Sequence, residues 1–137
     1  MFVNKQYFPF DKQIGEHIMK MKDLKEVLLA GDCTLAVLHN GKILTYKGKG
    51  IRFLYNIIND EPEVFLGAKC AVKVIGGTAA KTMIDGGVTE VYAEVISEWA
   101  LAKFENSDIR LSYDKAVSHT DFLAIWERLG ELMENEL

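Results

Sequence analysis

A carboxylate stands in the middle of the most apolar strand that this sequence predicts. Glu94 lies within TEVYAEVI, residues 89–96, and a carboxylate midway along an internal strand is costly unless paired or hydrogen-bonded. Lys73 is the candidate partner, and a lysine–glutamate pair supplies a base and an electrophile. The competing reading is that Glu94 points into a solvated groove. Ion pairs with no catalytic role also perturb pKa values. Cys70 is a third candidate. An exposed thiol near a helix N-terminus is acidified, whereas a buried one is a small hydrophobe, and no His stands near Cys70 in sequence. Gly48-Lys49-Gly50 with Arg52 is a fourth. A glycine-rich turn before a helix can offer amides to an anion, with Lys49 and Arg52 adding charge. Neither the dinucleotide nor the P-loop pattern is complete here, and a plain two-glycine turn is the commoner meaning.

These residues must be positioned by elements that the apolar spacing predicts. Val72, Ile75, Ala79 and Met83 recur at i, i+3, i+7 and i+11, which predicts a helix over 71–85. Asp85-Gly86-Gly87 would end it, with Gly86 in the left-handed position. A strand over 89–96 follows, carrying Val91, Ala93 and Val95 on one face. Helix, glycine stop and strand together form the return half of a parallel crossover. On this reading Cys70 lies near a helix N-terminus, Lys73 sits one turn along that helix, and Glu94 approaches the end of the central strand.

Earlier in the chain, residues 1–10 read as an irregular aromatic arm, either packed on the domain or engaged in an oligomer contact. A helix is predicted over 12–30, with Ile14, Ile18, Met21, Leu24 and Leu28 as its stripe and Gly31 as its stop. Beside that stripe, His17 has no second ligand at i+3 or i+4. Asn40-Gly41 between CTLAVLH and KILTY is a strong hairpin signal, because both turn residues need positive φ. A helix over 51–59 ends at Asp60-Glu61-Pro62. Ser97 is a plausible N-cap for a helix over 98–106. Ile109, Leu111 and Tyr113 alternate with Arg110 and Ser112 as in a half-exposed strand, 114–120 is a loop or a short extra strand, and a last helix spans 121–135.

With 137 residues, 49% of them hydrophobic, the chain fits one domain with a real core. Its expected parts are an arm over 1–11, a core over 12–120 and a final helix over 121–137. A net charge of −4 gives no general attraction to nucleic acid or to an anionic membrane. Two cysteines make no disulfide framework and fit a reducing compartment. No apolar run approaches the ~20 residues of a membrane span, and residues 1–10 lack a signal peptide's pattern. The expectation is a cytoplasmic protein.

The order of helix, hairpin, helices, strand, helix, strand and helix resembles the cytidine-deaminase-like fold. More narrowly, residues 28–113 resemble a bacterial domain family of unknown function assigned to that fold. The matching pieces are Cys33-Thr34-Leu35-Ala36-Val37, Gly48-Lys49-Gly50, Gly67-Ala68, Lys73-Val74-Ile75-Gly76 and, most specifically, Val91 through Glu98. The resemblance implies a three-layer α-β-α sandwich with a mixed sheet in the order 2-1-3-4 and a possible fifth strand. It also implies that ligands would bind outside the carboxyl ends of the strands. That would gather Cys70, Lys73, Glu94, Ser97 and Glu98 in one place. In that family the position before Lys73 is often acidic, and Val72 departs from the pattern.

Zinc deaminases carry His or Cys, a spacer and Glu at one helix N-terminus, then Pro-Cys-x-x-Cys at the next. Read onto this chain, the first segment is Cys70-Ala71-Val72 and the second Glu98-Trp99-Ala100-Leu101-Ala102. One of three ligands survives and the proton shuttle is missing, so the sequence argues against zinc-dependent deamination and implies no metal or cofactor. Two readings of function remain. One is a metal-free module that binds a small nucleotide-like ligand or another protein. The other is an enzyme of unknown chemistry using Lys73 and Glu94, with Cys70 as a further candidate. Gly48, Lys49, Gly50, Arg52, Ser97 and Glu98 are the candidate ligand contacts. Nucleic acid is not an expected partner, and a homo-oligomer is left open by the resemblance.

Overall fold

The computed structural model describes residues 5–8, 20–31, 33–48 and 51–135, with side chains described for 20–31, 33–48 and 54–128. In chain order the elements are β1 (Lys5–Phe8), α1 (Met21–Ala30), β2 (Leu35–His39), β3 (Lys42–Tyr46), α2 (Ile51–Asp60), a 3-10 turn (Pro62–Val64), β4 (Lys69–Ile75), α3 (Gly77–Asp85), β5 (Glu90–Ser97), α4 (Glu98–Glu105), β6 (Arg110–Val117) and α5 (His119–Asn135). The six strands form one mixed sheet in the order β1-β3-β2-β4-β5-β6. Counted from β2 the order reads 2-1-3-4-5, but the strands expected third and fourth, 89–96 and 108–113, stand fourth and fifth because β4 lies between them and the hairpin. Residues 114–117 continue β6 rather than adding a strand, and β1 extends the sheet at the hairpin edge.

Asn40 and Gly41 take φ of 50° and 75°, so the β2–β3 hairpin closes through the expected two-residue turn and pairs Leu35 with Tyr46 and His39 with Lys42. β2 then pairs antiparallel with β4, and β4 runs parallel to β5, as β5 does to β6. The helices follow from strand alternation. Leu35, Val37, Cys70, Val72, Val91 and Ala93 join Leu54, Ile57, Met83, Ala100 and Phe104 in a core beneath α2, α3 and α4. Ala36, Ala71 and Tyr92 point the opposite way, towards Leu24 and Leu28 of α1. Helices therefore cover both faces, which makes a three-layer sandwich.

Several expectations are corrected. Residues 69–75 form strand β4 rather than the start of a helix, and α3 begins only at Gly77. The strand is sheathed on both faces, with Cys70, Ala71 and Val72 all buried, so its sequence is a continuous apolar run that also satisfies a helical period. After α3 it is Gly87, at φ 88°, that takes the left-handed conformation, while Gly86 stays near helical angles. Residues 5–8 are a strand on β3 rather than irregular. β6 runs on to Val117, and α5 starts at His119. α1 starts at Met21, where the Lys20 N–H donates to the Asp23 carboxylate at 2.7 Å; the part of that predicted helix over 12–19, with His17, lies outside the described residues.

Candidate functional site

The start of β2, the end of β3 and the carboxyl ends of β4, β5 and β6 share one end of the sheet. The Thr34 hydroxyl donates to the Gly48 carbonyl, and the Lys73 N–H donates to the Thr34 carbonyl at 3.1 Å. Gly48, Lys73, Glu94, Ser97 and Glu98 therefore lie towards this one end of the sheet. Lys49 and Gly50 lie outside the described residues, as does the Arg52 side chain.

Lys73 stands on strand β4 rather than on a helix. The β4–β5 register pairs Ala71 with Tyr92 and Val74 with Val95, so Lys73 and Glu94 are opposite one another. Alternation from Ala71 and Tyr92 puts both on the α1 side, and both are half-buried. No ion pair or hydrogen bond joins them. The polar contact here runs instead from the Tyr92 hydroxyl, which donates to Asp114 Oδ2 on β6. Lys25 of α1 lies 4.3 Å from the Tyr92 ring centroid, a cation–π arrangement. Burial raises the Tyr92 hydroxyl above the ordinary tyrosine range, and the carboxylates of Asp114 and Glu94 add to the shift.

Cys70 does not reach this end. It sits within β4 opposite Val37 and Val91, fully buried. Burial pushes its thiol well above the usual range, the reverse of the acidified nucleophile expected at a helix N-terminus. Ser97 is fully buried and its hydroxyl accepts from the Ala100 N–H at 3.1 Å, which makes it the N-cap of α4. Glu98 is exposed, and its Oε1 accepts from the His119 N–H at 3.4 Å, at the start of α5. Both residues thus hold helix ends.

Sequence reasoning missed a second feature beside them. Trp99 is 55% exposed, and its ring stacks on His119 with centroids 3.5 Å apart and planes 11° from parallel. Phe122 continues the row, 6.2 Å from His119 and 5.5 Å from Trp126. A groove of about 430 Å³ between α3 and α4 is lined by Gly77, Thr78, Lys81, Trp99, Ala102 and Lys103. Gly77 lets the helices approach, since a Cβ there would stand 3.2 Å from the Trp99 Cβ. The N-cap position of α3, Gly76, offers no side-chain cap, and the groove runs along the first turns of α3 at Gly77, Thr78 and Lys81. The available signal was Trp99 standing off the inward stripe of Leu101 and Phe104.

The donor chemistry does not fit a deaminase zinc. Cys70 is enclosed in a strand, so the pairing of motif to helix fails as read from sequence. α2, α3 and α4 start at Ile51-Arg52-Phe53, Gly77-Thr78-Ala79 and Glu98-Trp99-Ala100, none of which brings a His or Cys ligand, and the His119 that opens α5 stacks on Trp99. Among the described residues, no three His, Cys, Asp or Glu are grouped to hold a metal ion.

A family model described as TM1506, a domain of unknown function (DUF1893), matches residues 23–121. The chain belongs to the DUF1893 family. Among solved structures, a DUF1893 family protein (TM1506) from Thermotoga maritima is 17% identical and superposes with a TM-score of 0.63, over 88% of this chain and 93% of that one. At that identity the likeness speaks for the fold alone. No curated protein matches the chain. The DUF1893 match runs from within α1 to the first turn of α5, so it spans the sheet from β2 to β6 and every residue of the groove. Among the described residues of this DUF1893 chain, no helix is long and apolar enough to cross a membrane.

Proposed function

We propose that this chain is a metal-free, non-deaminating module of the cytidine-deaminase-like type that binds a small nucleotide-like ligand in the α3–α4 groove, in the cytoplasm and without a nucleic-acid partner. The observation that carries the reading is the exposed Trp99 ring, braced by His119, beside Lys81 and Lys103. A rigid indole offers a stacking platform to a planar base, and two ammonium groups suit phosphate oxygens. Lys81 Nζ lies 2.9 Å from the Asp85 carboxylate, whose hydrogen bond and charge raise the pKa of the lysine.

Adenine and guanine nucleotides titrated against tryptophan fluorescence test the reading, with thermal unfolding alongside. At 100 times the dissociation constant, a ligand stabilises the native state by about 2.7 kcal/mol, or roughly 8 °C for a domain of this size. Trp99→Ala should remove both signals, and Lys103→Ala should weaken them. Absence of any shift with millimolar nucleotide would sink the proposal.

A second reading, an enzyme using Lys73 and Glu94, draws support from their opposed positions on one sheet face. A small substrate polarised by the Lys73 ammonium and deprotonated by the Glu94 carboxylate would bridge them. Cys70, enclosed in the core, is a poor nucleophile on any such scheme. Protection of Lys73 from amine-directed acylation by a ligand that leaves Trp99 fluorescence unchanged would favour this reading over the first.

A further inference from the structure

β6 is the outermost strand of the sheet, and no described strand pairs with its outer edge. Ser112 through Ala116 are all exposed, so the strand is uncovered on both faces along this stretch. Such an edge offers a row of unpaired N–H and C=O groups to another strand. The ladder with β5 decides which groups are free. The Arg110 N–H donates to the Thr89 carbonyl, and a parallel strand turns alternate residues towards one neighbour. Arg110, Ser112 and Asp114 are therefore used inwards, while Leu111, Tyr113 and Lys115 present their backbone groups to the open edge.

We propose that β6 pairs antiparallel with the β6 of a second copy of this chain, about a two-fold axis at Ser112. The outward groups of the two copies can meet only when the axis passes through a residue rather than between two, and the side chains then choose which residue. Centred on Ser112, the pairing sets Leu111 against Tyr113 as a hydrogen-bonded pair and Arg110 against Asp114 as a non-hydrogen-bonded pair, each occurring twice. Non-hydrogen-bonded positions bring side chains closest, and opposite charges there are favourable. Centred on Leu111, the pairing would set Asp108 against Asp114. Centred on Tyr113, it would set Arg110 against Ala116 and Asp114 against Ser112, and both complementary pairs would be lost.

The faces agree with this register. Ser112 pairs with Tyr92 of β5, so Arg110 and Asp114 belong to the polar α1 side. Leu111 already packs on the core beneath α2–α4, and Tyr113, 45% exposed, would be covered by the partner's Leu111. Asp114 has two carboxylate oxygens, so it can serve both the Tyr92 hydroxyl and an arginine. The Arg110 side chain has no hydrogen bond or ion pair among the described residues.

Sedimentation velocity over a range of protein concentrations tests the pairing. The wild-type chain should run at twice its own mass. R110D sets like charges opposite each other twice, and should weaken the dimer by about tenfold or more. R110D/D114R should restore it, and high salt should weaken the wild type but not remove the strand pairing. Y113P deletes one outward N–H without touching the β5 ladder, so it should give a folded monomer by circular dichroism and sedimentation. A wild-type chain that stays monomeric at millimolar concentration would overturn the inference, as would a dimer indifferent to both R110D and Y113P.

Discussion

A methyl group added at Gly76 should destabilise this protein, and the same methyl should stabilise it once Phe122 is gone. Gly76 joins β4 to α3 at φ −107° and ψ −179°, angles that any residue adopts, so alanine meets no backbone strain. The obstacle is a ring. A Cβ at Gly76 would stand 2.5 Å from Cζ and 2.8 Å from Cε2 of Phe122, which is 8% exposed in the first turn of α5. Overpacking of this kind costs about 1–3 kcal/mol. Against that, replacing Gly by Ala at a compatible site gains about 0.4–1 kcal/mol by restricting the unfolded chain. Gly76→Ala alone should therefore lose about 1–2 kcal/mol. In a Phe122→Ala background, itself destabilised through loss of a buried ring, the same substitution should gain about 0.4–1 kcal/mol. The double-mutant cycle, read by urea unfolding with unchanged m, should report a coupling of about 1–3 kcal/mol. An equal cost of Gly76→Ala in both backgrounds would refute the argument, because α5 would then not press on the end of β4.

Ser97→Ala should cost about 1 kcal/mol, since the hydroxyl satisfies the Ala100 N–H inside the protein; thermal unfolding measures it, and Ser97→Thr should recover part of the loss. Both Cys70 and Cys33 are buried, and burial raises the Cys70 thiol, so a disulfide reagent at neutral pH should modify them only as fast as the chain opens. Prompt labelling of native protein would count against that placement. The Tyr92 pKa is raised in the fold, so its contribution to stability is complete below the unfolded tyrosine pKa of about 10 and declines as pH rises through the folded value. Denaturant midpoints from pH 8 to 11 should fall for the wild type, and Tyr92→Phe should show a shallower fall above pH 10.

Local signals carried much of this fold. Asn40-Gly41 announces its hairpin through a conformation few other residue pairs accept, and Ser97 announces α4 through the cap that its hydroxyl forms with the Ala100 N–H. β4 was hidden for a physical reason. A strand buried on both faces needs no polar alternation, and its Val72 and Ile75 fell by chance into the period of Ala79 and Met83 in the helix that follows. The β-branched residues Val72, Val74 and Ile75, then the Gly76-Gly77 break, were the better guide. The site suffered from the same error. A helical reading of β4 assigns Cys70 a helix terminus that it does not occupy and Lys73 a helical turn. That Lys73 and Glu94 face each other depends on a 21-residue strand register, which no local pattern encodes. The Trp99–His119 stack likewise joins the start of one helix to the start of another across all of β6.

β4 is the one strand of this sheet with neighbours of opposite polarity, antiparallel β2 on one side and parallel β5 on the other. The strands on its hairpin side, β1, β2 and β3, all come earlier in the chain, and β5 and β6 come later. A nascent chain leaving the ribosome can therefore complete half of the sheet before the other half has been translated, with β4 as the seam at which the two are joined. Rare codons or a stalled ribosome just after Ile75 would leave that seam bare, its Cys70 and Val72 open to water and to other nascent chains, until the next crossover arrives to close it.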